Sequence, residues 1–121
     1  MQERPKVSGV RRLLRAALNS WNGFKGAFKG ERAFQQEVAL AVVLIPLAFF
    51  VGDTRVERAL LIVSVLLLLL TELVNSAIEA IVDRIGPERH ELSGLAKDIG
   101  SSAVLLSFLI LCVVWGLILF G

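Results

Sequence analysis

The chain has 121 residues, of which 55% are hydrophobic and 20% charged, and its formal net charge is +2 at pH 7. Its apolar residues form long blocks, and the block Ile99 to Phe120 carries no charge over 22 residues. These blocks exclude an ordinary small soluble domain, because a helix needs about 20 apolar residues to span a bilayer. The basic first 32 residues have no continuous apolar core, so we expect no cleavable signal peptide.

The first predicted element is an amphipathic helix between Val10 and Phe28. Its apolar residues recur at spacings of one, three and four, and Arg and Lys occupy the rest of the helix surface. This pattern favours a helix that lies in the lipid headgroup layer, although a partner-binding helix is an alternative. The glycines at 23, 26 and 30 predict a break at its far end. We therefore assign residues 1–32 to a basic surface helix on the cytoplasmic side.

Three apolar blocks follow and predict an all-α membrane protein whose transmembrane domain covers residues 33–121, with spans at about 33–51, 59–82 and 99–120. The segment 52–58 allows only a turn, and a polar loop is predicted over 88–98. Pro46 lies inside the first span, where neighbouring helices are able to satisfy the freed carbonyl. The single cysteine, Cys112, is predicted to be a buried, inert thiol.

The basic residues predict the orientation of the chain in the membrane. Eight of the 13 Lys and Arg precede the first span, two lie between the first and second, three between the second and third, and none follows the third. Because cytoplasmic loops carry an excess of Lys and Arg, we expect the N-terminus inside and the C-terminus outside.

Four polar residues of the second span lie on one side of the helix: Glu72, Asn75, Glu79 and Asp83. Their spacing places them within an arc of about 80°. Ionisable groups at membrane depth cost about 2.5 to 3.5 kcal/mol each on insertion scales, which makes them functional candidates. Hydrogen bonding between helices is the structural alternative, but like charges on one face repel unless a cation or proton intervenes.

The depth of these residues predicts different roles. Glu79 and Asp83 are near the cytoplasmic surface, where carboxylates hold Mg2+ together with nucleotide phosphates. Glu72 is deeper by about 10 Å and is better placed to take the proton of a lipid alcohol. The same side of the membrane also carries Glu31, Glu37, Glu88, Arg89, His90, Glu91, Lys97 and Asp98.

Two classes of protein besides a phosphotransferase fit this pattern. One is a small proton-coupled exporter or channel subunit, whose essential acid is expected near the middle of the bilayer. The other is a non-catalytic membrane subunit with a polar assembly face. Neither G-x-x-x-x-G-K-[ST] nor G-x-G-x-x-G occurs, so a nucleotide site here has a different design from that of soluble kinases.

Three segments carry a resemblance to a known family: ERAFQQE at 31–37, ELVNSAIEAIVDRIG at 72–86 and HELSGLAKDIGS at 90–101. Together they resemble prokaryotic diacylglycerol kinase. The resemblance implies a homotrimer in the bacterial inner membrane, with one surface helix and three spans per subunit and active sites shared between subunits. It implies ATP as co-substrate, Mg2+ as cofactor, a membrane lipid as acceptor and no nucleic-acid partner. A related branch phosphorylates undecaprenol instead of diacylglycerol.

The resemblance also implies roles for individual residues. Glu72 is the general base, and Glu31 and Glu79 bind the metal. Arg12, Asn19, Glu31, Glu79, Glu88, Arg89, His90, Lys97 and Asp98 surround the nucleotide. Asn19 stands where a tyrosine is expected. The residues expected to contact the lipid substrate are Arg12, Ser20, Trp21, Lys25, Glu37, Arg58, Glu72, Asn75, Ser101 and Trp115.

Overall fold

The computed structural model describes residues 8–121, and this part of the chain contains four helices and no strand. The helices are α1 (Gly9–Gly30), α2 (Arg32–Val51), α3 (Arg55–Ile85) and α4 (Glu91–Phe120). The last three are long and apolar enough to cross a membrane, which confirms the predicted all-helical fold with three candidate spans. The first seven residues of the predicted N-terminal part lie outside the described residues.

Helix α1 is longer and more regular than its glycines predicted. Ser8 caps its start by accepting a hydrogen bond from the Arg11 backbone N–H at 3.4 Å. The helix continues through the first two glycines of the predicted break and ends at Gly30. Glu31 is extended and separates α1 from α2, and the Gln35 side chain spans the joint by donating to the Phe28 carbonyl at 2.6 Å. The predicted break therefore lies only at this joint.

A tight turn joins α2 to α3. The Arg58 Nε donates to the Gly52 carbonyl at 3.0 Å, and Thr54 caps α3 by accepting from the Glu57 backbone N–H at 3.1 Å. A Cβ on Gly52 would lie 2.7 Å from the Arg58 Cγ, so the turn requires glycine here. This turn makes α2 and α3 antiparallel neighbours, as the short loop predicted.

Helices α3 and α4 extend beyond the predicted spans. Helix α3 has 31 residues and α4 has 30, which at 1.5 Å per residue gives about 45 Å each, well over a hydrocarbon core of about 30 Å. The prediction of a loop over 88–98 is wrong from Glu91 onward, because the chain turns helical as soon as His90 caps α4. Lys97 and Asp98 therefore project from a helix that continues past the apolar block.

Helix α3 lies at the centre of the chain and packs against both α2 and α4. Its buried residues include Leu61, Val65 and Leu68 and continue with Glu72 and Asn75. The same face of α3 is therefore apolar in its first half and polar in its second half. From α4, Trp115 is buried against this face, and its Nε1 donates to the Leu61 carbonyl at 3.3 Å. The apolar half of α3 thus fixes the position of the polar half.

Most apolar side chains of the spans are not covered within one chain. In the most apolar 18-residue stretch of each helix, only 17% of the residues of α2, 33% of those of α3 and 17% of those of α4 are buried. Cys112 is exposed on α4, so the prediction of a buried thiol is wrong for the chain by itself. A sequence shows that a span is apolar, but it does not show which side of the span meets its own helices.

Candidate active site

The polar face of α3 runs from a buried end to an exposed end. Glu72 is 5% exposed and Asn75 is 8% exposed, whereas Glu79 is half-buried and Asp83 is exposed. The face is the direct continuation of the core stripe, because its residues follow the same three- and four-residue spacing. The solvent exposure of these four side chains therefore increases along the helix, and Glu72 is the least exposed acid among them.

Helix α2 brings a second acid to Glu72. Glu37 is half-buried and lies near enough to Glu72 for the two carboxyl groups to interact. Among the described residues, the buried Oε2 of Glu37 has no hydrogen-bond donor, as expected where two carboxylates face each other. Such a pair repels unless a proton or a cation lies between its members. The Glu37 and Glu72 carboxyl groups can therefore accept a proton and hold it between them.

Asn75 links the buried and the half-buried parts of the face. Its Nδ2 donates to the Glu79 Oε1 at 3.3 Å. Its Oδ1 is buried and has no hydrogen-bond partner among the described residues, and the same holds for the Ser76 hydroxyl. Asn75 therefore donates to the Glu79 carboxylate, while its own acceptor oxygen is buried without a partner in the described part of the chain.

Carboxylates gather around this point, but they do not form a complete metal site. Glu31 at the joint of α1 and α2, and Glu79 on α3, both lie near enough to Glu72 for their charges to interact. In residues 8–121, no three His, Cys, Asp or Glu side chains converge in a geometry that holds an ion. The donors are oxygen atoms of the kind that Mg2+ binds, usually one or two carboxylates completed by phosphate and water.

The loop between α3 and α4 lines a cavity of about 540 Å³. Lys97 lies across this cavity, and its Nζ is 2.7 Å from the Asp83 Oδ1. The loop side chains predicted to surround a nucleotide, Glu88, Arg89 and His90, line the same cavity. The structure thus brings these three residues together with Lys97, while the exposed Asp98 is not among the lining residues.

A second groove, of about 600 Å³, separates α1 from α3. Its walls are mostly glycine and alanine, with Ser20 on one side and Glu31 at one end. The other candidate residues of α1 are exposed, namely Arg12, Asn19, Trp21 and Lys25. No side chain of α1 is buried within the described part of the chain, so these residues remain accessible to a ligand.

Two predicted substrate residues lie far from the acidic cluster. Arg58 is 14 residues before Glu72 on α3, which is about 21 Å along the helix, and it is held by the turn at Gly52. Trp115 is equally distant along α4 from Ser101, and it is 7% exposed. Ser101 is exposed and follows Gly100, which lies against Asn75, whereas Arg58 and Trp115 are not brought to the cluster.

Sequence reasoning missed contacts that form between α3 and α4. The Thr71 and Ser107 hydroxyls are 2.6 Å apart, and the Trp115 Nε1 also donates to the Ser64 hydroxyl at 3.2 Å. The seven-residue spacing of Ser64 and Thr71 was the available signal, since it places both on the same face as the core leucines. Gly100 was missed as well, although it lies directly against Asn75.

The sequence model of the family described as prokaryotic diacylglycerol kinase matches residues 18–119. The diacylglycerol kinase of Haemophilus influenzae is 53% identical over 115 residues, covering 95% of this chain and 98% of that protein. That of Pseudomonas aeruginosa is 52% identical, covering 94% and 93%. That of Escherichia coli K12 is 43% identical, covering 95% and 94%.

Proposed function

The chain belongs to the prokaryotic diacylglycerol kinase family, and from that membership we propose that it transfers the γ-phosphate of Mg-ATP to sn-1,2-diacylglycerol to give phosphatidic acid. The observation that carries the activity is the match to proteins named diacylglycerol kinase along nearly the whole chain. As a member of this family the protein is a lipid kinase with membrane-spanning helices. The assignment of individual residues is our proposal.

Glu72 is proposed as the general base toward the lipid hydroxyl. It is the most buried acid of the α3 face and has Glu37 beside it. A base acts only within hydrogen-bonding reach of the proton that it removes, and it contributes about 100- to 10,000-fold. The lipid hydroxyl is proposed to reach Glu72 beside Glu37, where α2 and α3 pack together. Glu37 and Asn75 then hold the hydroxyl group in place, with Ser101 beside them.

Glu31 and Glu79 are proposed as the metal-binding carboxylates. Glu79 fits this role because Asn75 already fixes one of its oxygens. Mg2+ bound there, with ATP phosphates completing its coordination, would neutralise charge that develops on the transferred phosphoryl group. The charge of Glu31 adds to that of Glu79, so the pair attracts a divalent cation toward the end of α3.

The cavity beside the α3–α4 loop is proposed to hold the nucleotide. Lys97 and Arg89 supply positive charge for phosphate oxygens, and Glu88 and His90 supply polar contacts. Arg12 and Asn19 of α1, together with Asp98 of α4, are proposed to complete this site. The remaining proposed lipid contacts are Ser20, Trp21 and Lys25 on α1 and, at the outer end, Arg58 and Trp115.

A homotrimer with shared active sites is proposed as the working unit. The largely uncovered apolar side chains of the three spans and the incomplete metal site in one chain support this proposal. Helix α1 is proposed to be amphipathic and to lie on the cytoplasmic surface of the inner membrane, with the C-terminus outside. Its exposed apolar residues, including Leu14 and Trp21, support a place against lipid.

Transfer of radiolabel tests the activity. Purified protein in detergent is given labelled ATP and Mg2+ with either diacylglycerol or undecaprenol, and the lipid is then extracted. We expect label in diacylglycerol, and Glu72→Gln serves as the matched inactive variant. Label only in undecaprenol would move the protein to the other branch of the family. Label in neither lipid would refute the kinase assignment and favour the alternative of a proton-coupled exporter subunit.

A further inference from the structure

Gly100 lies at the closest approach of α4 to the polar face of α3. It is buried, and a Cβ at this position would overlap the Asn75 Oδ1 and lie 3.3 Å from the Asn75 Cγ. The same Cβ would be 3.6 Å from the Ile78 Cδ1, which is ordinary contact. The Asn75 amide thus occupies the space that the missing side chain of Gly100 leaves free.

Two other glycines of α4, Gly94 and Gly116, have no neighbouring side chain at the position of a Cβ. A Cβ on Gly94 or Gly116 would meet no described atom within 4 Å. Glycine costs about 1 kcal/mol relative to alanine inside a helix, so neither position has a packing reason for glycine within the chain. Gly100 differs because α4 faces a polar side chain there. The contrast provides a matched control on the same helix.

The position of the Asn75 amide matters because of its second contact. Its Nδ2 donates to the Glu79 Oε1 at 3.3 Å, so an amide that is displaced by a methyl group on α4 loses that hydrogen bond. Asn75 is 8% exposed between the two helices and has little room to move without changing this contact. The displaced atom is at the end of a side chain, so the amide gives way before the helices separate.

We infer that Gly100 is a positioning residue of the active site: its missing side chain lets the Asn75 amide stand between α3 and α4 and orient the Glu79 carboxylate toward the cation. This inference rests on the proposed role of Glu79 in binding Mg2+. Residues that orient a metal ligand change metal affinity or activity by about 10- to 100-fold when they are altered. Gly100→Ala should therefore weaken the metal by a factor in this range.

Metal binding is measured without turnover, by electron paramagnetic resonance titration of Mn2+ in the presence of a non-hydrolysable ATP analogue and the full-length protein in detergent. We expect Gly100→Ala to raise the dissociation constant of Mn2+ by about 10- to 100-fold, and Gly116→Ala to leave it unchanged. In an Asn75→Ala background, Gly100→Ala should add no further change, because no amide remains to be displaced. An equal loss in both backgrounds, or an unchanged affinity in Gly100→Ala, would overturn the inference.

Two further outcomes are decisive. If Gly100→Ala alone fails to fold, the Gly100→Ala/Asn75→Ala double variant must recover folded protein, since the methyl group then has room; failure of the double variant would also overturn the inference. If the unaltered protein itself binds no Mn2+ with the nucleotide analogue, the proposed metal role of Glu79 fails, and the inference about Gly100 fails with it. That result differs from one in which only the variant behaves unexpectedly.

Discussion

Replacement of Glu72 by glutamine should change stability and activity in opposite directions. Glutamine has the same shape as glutamate, so it fits the buried site, but it does not accept a proton at neutral pH. Its amide also supplies the donor that the Glu37 Oε2 lacks among the described residues. The variant therefore exchanges a contact between two carboxyl groups for a charge-assisted hydrogen bond.

The expected magnitudes follow from these contacts. Hydrogen bonds to charged groups contribute about 1.5 to 3 kcal/mol in water-soluble proteins, while side-chain bonds between membrane helices average about 0.6 kcal/mol. We expect Glu72→Gln to gain about 1 kcal/mol of stability, between these values. The loss of a general base should lower turnover about 100- to 10,000-fold, which is about 3 to 5 kcal/mol of transition-state stabilisation.

Two measurements on the same preparation check this prediction. Initial rates with labelled ATP and diacylglycerol in mixed micelles give turnover, and unfolding in increasing sodium dodecyl sulfate gives stability. Glu37→Gln is the matched comparison: it creates the same hydrogen bond from the other side and keeps the proposed base, so its loss of turnover should be smaller because only a lipid contact is altered. A Glu72→Gln protein that is folded and active would refute the role of Glu72. One that unfolds more readily than the unaltered protein would refute the expected hydrogen bond to Glu37.

Three other changes have distinct expected outcomes. Glu79→Gln should abolish nearly all turnover yet keep its hydrogen bond to the neighbouring amide; a purely structural face would retain activity in the radiolabel assay. Trp115→Phe removes one buried N–H donor and should lower stability by about 0.6 to 1.7 kcal/mol in detergent unfolding, while turnover at saturating lipid stays unchanged because Trp115 is distant from the acidic cluster. Asp83→Asn breaks an exposed ion pair worth under about 1 kcal/mol, so unfolding should hardly change. Because Lys97 is then no longer held, the KM for ATP should rise; an unchanged KM would show that the ion pair with Asp83 does not position Lys97 for ATP.

Hydropathy predicted the number of spans but not where the helices end. The apolar block after Ile99 marks where α4 enters the bilayer, whereas the helix itself begins at Glu91 because His90 caps it there. Outside the hydrocarbon core, polar residues are compatible with either a helix or a loop. The residues placed in a loop by composition, such as Lys97, therefore belong to the first turns of a helix.

Contacts between distant parts of the chain were beyond sequence reasoning. The spacing of Glu72, Asn75 and Glu79 predicted one polar face from local geometry alone, and the structure places them on one. The partners of that face could not be predicted in this way. Nothing in the periodicity of α2 or α4 indicates that Glu37 lies near Glu72 or that Gly100 lies against Asn75. Such pairings depend on how the helices are rotated about their axes, which packing decides.

The stripe of α3 that packs the core continues directly into the proposed site around Glu72. Leu61, Val65 and Leu68 are almost fully buried, so they fix the rotation of α3 against α2 and α4. That rotation determines where Glu72 points, about one turn beyond Leu68 along the helix. Rigid helices hold a reactive carboxyl group more accurately than loops do. Leu68→Ala leaves a cavity in the apolar half of α3 and should therefore disturb the position of Glu72. We expect this variant to show lower turnover while the protein remains folded.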